Sequence, residues 1–100
     1  MKGISISVVT AAYNEYPGIV GLTKEWVGYL QQHPDVIAFE IIICDDHSSE
    51  SNYSATCHDL KDIPEVRILR NEVNSGAGFS FHRGFMESTM DWILITDSDG

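Results

Sequence analysis

Four short apolar runs punctuate the chain: Ile4–Thr10 (ISISVVT), Phe39–Cys44 (FEIIIC), Val66–Arg70 (VRILR) and Trp92–Thr96 (WILIT). Each is rich in Ile, Val or Leu, and each predicts a β-strand. The second and fourth are almost continuously apolar, the pattern of strands covered on both faces. Between the runs the hydrophobic period lengthens. Pro17 suits a first helical position. After it, Ile19, Val20, Leu22, Trp26, Val27 and Leu30 recur at helical spacing until His33-Pro34 ends the pattern. A second helix is predicted from a Ser48 or Ser49 cap to about Leu60. A third is predicted from near Ala77 to Met90, with Phe81, Phe85 and Met86 on one face. The order β-α-β-α-β-α-β predicts an α/β fold, a mostly parallel, Rossmann-like sheet with helices on both faces. Ligands of such sheets bind beyond the carboxyl ends of the strands. The strand ends are therefore where chemistry is sought.

Composition narrows the field. One hundred residues, 43% of them hydrophobic, make one domain with a core. No apolar run is long enough for a membrane span. The opening MKGISISVVT reads as a strand and not as a signal peptide. The formal charge of -9, with only six scattered Lys and Arg, argues against a nucleic acid as partner. A phosphorylated ligand is still compatible if a divalent cation sits between it and the carboxylates. Cys44 and Cys57 are too few for a disulfide scaffold, and Cys44 reads as a small core residue. The expected compartment is the reducing cytoplasm.

Each strand end carries polar or small residues. "TAAYNE" (Thr10–Glu15) follows the first strand. Its small residues permit close approach to the backbone, Tyr13 offers a flat face, and Asn14 and Glu15 offer polar contacts; a plain loop with a capping Asn is the alternative. "DDHSSE" (Asp45–Glu50) follows the second strand. Adjacent carboxylates repel, so amides, water, a ligand donor or a metal must offset them, unless one is a helix cap and the other is solvated. His47 reads as a surface or helix-start residue. After the third strand, Asn74–Gly84 holds glycines that could turn amides toward an anion. Phe81 stands where a dinucleotide fingerprint needs glycine, and no P-loop is present. Arg83 either meets a phosphate or pairs with Glu87 one helical turn on. The fourth strand delivers Asp97-Ser98-Asp99. Carboxylates two apart in an extended segment point the same way, and hard oxygen ligands suit Mg²⁺ or Mn²⁺.

Taken together, these strand ends resemble the family 2 glycosyltransferases, inverting enzymes of the GT-A fold. The resemblance is carried by SVVTAAYNE (Ser7–Glu15), FEIIICDDHSSE (Phe39–Glu50), NSGAGFSFHRG (Asn74–Gly84) and ILITDSDG (Ile93–Gly100). It covers essentially the whole chain and implies a sheet order of 3-2-1-4. It implies a nucleotide-diphospho-sugar donor, a UDP- or GDP-sugar, on a pocket floored by Thr10–Glu15. Ala11 and Tyr13 would lie beside the base, and Glu15 near the ribose or base. Asp46 would accept a hydrogen bond from a base N–H, with Asp45 supporting the loop. The Asn74–Gly84 segment, with Gly76 and Arg83, would line the nucleoside and phosphate side. Asp97 and Asp99 match the D-x-D motif, Asp97 facing the ribose or sugar and Asp99 ligating Mg²⁺ or Mn²⁺ on the diphosphate.

The chain departs from the family pattern in three places. His47 stands where members more often have Gly. Ser80-Phe81-His82 replaces the usual Ala-Arg-Asn run. Family members continue well past the D-x-D into an acceptor-binding half that carries the catalytic base, so residues 1–100 read as a truncated donor-binding portion with no turnover of its own. The acceptor is unassigned, membrane association of a longer parent stays open, and uncovered apolar surface predicts a homo-oligomer of this chain. A related nucleotidyltransferase shares the fold, but its Gly- and Lys-containing first loop is absent from "TAAYNE".

Overall fold

The computed structural model of the chain describes residues 3–98. The elements are β1 (Ile4–Ala12), α1 (Gly18–Gln32), β2 (Val36–Asp45), α2 (Glu50–Leu60), β3 (Val66–Arg70), α3 (Ala77–Glu87) and β4 (Trp92–Ile95). All pairings are parallel, and the sheet order is β3-β2-β1-β4, as expected. The register sets Ala12 opposite Asp45, and Asp45 opposite Arg70. The loops leaving β1, β2 and β3 therefore gather at one end of the sheet.

Helices cover both faces. On one face α1 and α2 deliver Ile19, Val20, Val27, Leu30 and Leu60 onto Val8, Ile41 and Ile43. On the other, Val9, Ile42 and Cys44 form a smaller cluster with Phe81 of α3 against them. β2 sits between β1 and β3, and its Ile41, Ile42 and Ile43 are fully buried, which accounts for its unbroken apolar run. Cys44 is buried too, and burial pushes its thiol up to about 11, so it behaves as a core residue. α3 approaches the sheet very closely. A Cβ at Gly84 would lie 2.3 Å from Val9 Cγ1 and 3.0 Å from Cys44 Sγ.

Five expectations need correction. Pro17 is the cap of α1, not its first residue; its carbonyl accepts the Val20 N–H at 3.0 Å. Leu22 is only half-buried, and the buried position on that face of α1 is Thr23. α3 stops at Glu87, short of Met90, because Ser88 turns extended and the Thr89 N–H and hydroxyl are drawn to Glu40 Oε2 at 2.7 and 2.9 Å. Phe81 faces the sheet, but Phe85 and Met86 are 49% and 66% exposed, since Ser80 and Gly84 occupy the buried stripe of α3. The fourth strand is not covered on both faces either. β4 pairs only with β1, lies at the sheet edge, and exposes Trp92, Leu94 and Ile95 by about half.

The buried Glu40 was not singled out by the sequence. Its Oε2 accepts from Ser7 Oγ at 2.7 Å as well as from Thr89, and its Oε1 faces Arg67 Nη1 at 3.2 Å. Arg67 also bonds Glu87 Oε1 at 3.1 Å. Burial alone would push the Glu40 carboxyl up. The Ser7, Thr89 and Arg67 donors outweigh that and hold it below the usual range. This network joins β1, β2, β3 and the α3–β4 connection. Among the described residues, no helix is long and apolar enough to cross a membrane.

Candidate functional site

The acidic pair at the end of β2 is resolved into two separate jobs. Asp45 turns inward: its Oδ1 accepts from Ser48 Oγ at 2.6 Å and its Oδ2 from the Ser48 N–H at 2.9 Å. Ser48 Oγ in turn accepts the Asn14 N–H at 2.8 Å, and Asn14 Oδ1 accepts the Ser49 N–H at 2.8 Å. These bonds pin the loop after β1 onto the start of α2. Ser49 is the cap of α2, accepting the Asn52 N–H. Asp45 thus holds the turn into α2 through Ser48.

Asp46 turns toward β3 and α3. Its Oδ1 accepts from Asn71 Nδ2 at 2.9 Å and from the Ser75 N–H at 2.7 Å, and its Oδ2 accepts the Gly76 N–H at 2.8 Å. Gly76 presents that amide with φ 92° and ψ 161°, a region open essentially only to glycine. Burial opposes the Asp46 charge, but the Ser75 and Gly76 amides, the Asn71 carboxamide and the neighbouring His47 hold the carboxyl below the usual range. The mutual repulsion of the pair is therefore met by two donor sets, one for each carboxylate.

A cavity of about 210 Å³ opens at these strand ends. Ala11 and Ala12 of β1 form its floor, and Ala77 and Phe81 of α3 form one wall. Tyr13, half-exposed, stands at the mouth. Three carboxylates, Glu15, Asp46 and Asp97, line the same space. Ser98 Oγ sits between the Ala11 carbonyl, at 2.8 Å, and Glu15 Oε1, so the segment after β4 closes over the end of β1. Asp97 is exposed and makes no hydrogen bond to another described residue. A carboxylate lining this cavity suits a hard divalent cation. Among the described residues, no group of three or more His, Cys, Asp and Glu could hold a metal by itself.

Of the expected site residues, the fold brings Ala11, Tyr13, Glu15, Asp46 and Asp97 to one cavity. Gly76 joins through its amide to Asp46. Asp99 lies outside the described residues. Arg83 faces elsewhere. Its Nη1 donates to the Arg70 carbonyl at 2.8 Å and to Asn71 Oδ1 at 3.0 Å, while Glu87 is taken by Arg67. Ala77 and Phe81 belong to the Asn74–Gly84 segment expected to line the nucleotide, but neither was singled out, and the sequence reading missed Ser98 and Asn71. Phe81 was legible only as a core residue, because a helical stripe does not say where it meets a strand end. Asn71 follows an ordinary strand and carries no motif.

A family model described as Glycosyl transferase family 2 matches residues 7–100, the span that contains all of these strand ends. The chain belongs to this family. Curated relatives agree. It is 26% identical over 100 residues to the dolichyl-phosphate beta-glucosyltransferase ALG5A of Trichomonas vaginalis, covering 97% of this chain and 31% of that protein. It is 30% identical over 96 residues to ALG5C of the same organism, covering 92% of this chain and 28% of that protein. The chain thus spans about three tenths of the length of these curated relatives. Among solved structures, a mannosyltransferase from Pyrobaculum calidifontis in complex with GDP-Man and Mn²⁺ superposes with a TM-score of 0.76 at 21% identity, over 99% of this chain and 28% of that one. TarS residues 1–349 from S. aureus, in complex with UDP-GlcNAc, gives 0.77 at 24% identity, over 99% and 27%. The fold of the chain is the GT-A fold of these glycosyltransferases.

Proposed function

We propose that the protein binds the nucleotide-diphospho-sugar donor of a metal-dependent, inverting glycosyl transfer at the carboxyl ends of β1, β2 and β4. The observation that carries this reading is the convergence of Tyr13, Glu15, Asp46 and Asp97 on one cavity of a GT-A sheet. The flat phenol of Tyr13 and the ring of Phe81 suit a nucleobase, and the alanine floor leaves room for it. Asp46 would supply an anionic acceptor for a base N–H, and Glu15, on the same cavity, would accept from a ribose hydroxyl or the base. Asp97, with Asp99 beyond the described residues, would hold Mg²⁺ or Mn²⁺ against the diphosphate. That cation would screen the negative charge left on the diphosphate as the sugar–oxygen bond breaks. The donors bound by the two solved neighbours, GDP-Man and UDP-GlcNAc, support a nucleotide sugar of either base.

The test is calorimetric titration of UDP and of GDP into the folded chain, with and without Mn²⁺. One nucleotide is expected to bind in a Mn²⁺-dependent manner. Asp99→Asn should abolish the metal dependence. Asp46→Ala should weaken binding about 10-fold to 100-fold, the worth of a hydrogen bond to a charged acceptor. A folded chain whose nucleotide affinity is unchanged by both substitutions would overturn the assignment.

A further inference from the structure

We infer that Arg83 and Asn71 are positioning residues that aim the Asp46 carboxylate at the base of a bound nucleotide. The inference rests on the donor-site reading above and adds residues that lie outside the cavity. Asn71 is 2% exposed and follows directly on β3. Its backbone is fixed from both sides: the N–H donates to the Asp45 carbonyl at 2.8 Å, and its carbonyl lies 3.1 Å from His47 Nδ1. Its side chain is fully engaged. Both Nδ2 hydrogens are used, one on Asp46 Oδ1 at 2.9 Å and one on Ser80 Oγ at 2.8 Å, and Oδ1 accepts from Arg83 Nη1 at 3.0 Å.

Arg83 decides which way that amide points. A carboxamide can turn over and exchange its oxygen for its nitrogen, but a guanidinium only donates. With Arg83 on one side, the Asn71 oxygen must face it, so the NH₂ group must face Asp46. The reversed amide would set an oxygen against a carboxylate oxygen and a nitrogen against the guanidinium, with repulsion at both ends. Arg83 is itself anchored by its second bond from Nη1, to the Arg70 carbonyl. The cation thus acts on Asp46 through a neutral group. It does not pair with the carboxylate; among the described residues Asp46 Oδ2 takes one hydrogen bond, from the Gly76 amide, so it keeps acceptor capacity, and Asp46 lines the cavity.

A merely structural network, tying α3 to β3, would change stability and leave ligand preference alone. The experiment separates the two by titrating the full chain, in Mn²⁺, with UDP, with GDP and with pyrophosphate as a probe without a base. Arg83→Met keeps the bulk and removes the donor. It should weaken the preferred nucleotide about 5-fold to 20-fold, as for one lost contact to a charged group, and leave pyrophosphate within about twofold. Arg83→Lys should restore part of the loss. In an Asp46→Ala background Arg83→Met should have no further effect. If Arg83→Met fails to fold, Asn71→Ala carries the same three expectations. Equal loss of nucleotide and pyrophosphate, no loss in a folded variant, or additivity with Asp46→Ala would overturn the positioning role while leaving the donor site intact. Wild-type affinity in a folded Asp46→Ala chain would overturn this inference, and no nucleotide binding by the wild type, or affinity unchanged by both Asp46→Ala and Asp99→Asn, would overturn the donor-site reading and this inference with it.

Discussion

His47 holds a left-handed backbone, φ 63°, at the turn that separates Asp46 from Ser48. A residue with a Cβ is strained there, and glycine is not. The ring offsets part of the strain through its contact with the Asn71 carbonyl. This turn therefore favours glycine, the residue that the resemblance leads one to expect at position 47. The expected outcome is an unusual stability order. His47→Gly should exceed His47→Ala by about 1 kcal/mol, the reverse of the order on a helix, because both lose the ring but only alanine keeps the strain. Urea midpoints with an unchanged m-value would show it. At this scale the sequence announced the acidic pair but not its division of labour. The donors that divide it, Asn71, Ser75 and Gly76, lie 25 to 30 positions downstream of Asp46. Only a folded β2–β3–α3 unit brings them there. Arg83 was misleading for the same reason: its chemistry suited a phosphate, and its partner was a carboxamide that no motif marks.

Element identity was legible almost throughout, because strands of Ile and Val and the helical period of α1 are strong local signals. What local signals cannot convey is an element's neighbours. The apolar runs of β2 and β4 look alike, yet one is central and one is an edge, since burial depends on where the sheet places a strand. The end of α3 was misjudged because a tertiary acceptor, Glu40, takes Thr89 out of the helix. Gly84 gives the sharpest consequence at this scale. Its Cα hydrogen faces Val9 and Cys44 at a distance that excludes a methyl group. Gly84→Ala improves intrinsic helix propensity, but it must push α3 off the sheet. We expect a net loss of about 1–3 kcal/mol, the usual cost of overpacking, read as a lower thermal midpoint. An equally stable or stabilised variant would show that α3 can slide without penalty.

For the whole molecule, the high negative charge lies mostly on exposed and half-buried carboxylates, while Glu40, Asp45 and Asp46 are buried, and two of these, Glu40 and Asp46, contribute to the response to acid. Both are held below their unfolded values by native donors. Their contribution is therefore present above about pH 4 and is lost as pH falls through the lower folded values. Glu40→Gln should be less stable at neutral pH, with a shallower loss of stability in acid; an unchanged acid slope would exclude Glu40 as a cause. The same carboxylate has a consequence for motion. In the connection from α3 to β4, the N–H groups of Thr89, Met90 and Asp91 end on Glu40 Oε2, Ser7 Oγ and Ser5 Oγ, at 2.7, 3.2 and 3.0 Å. Three successive amides of a surface loop are thus clasped by side chains of β1 and β2 where strand pairing has not yet begun. Such amides exchange with solvent only when the clasp opens, so in deuterated water they should keep their protons about as long as the edge strand that follows them.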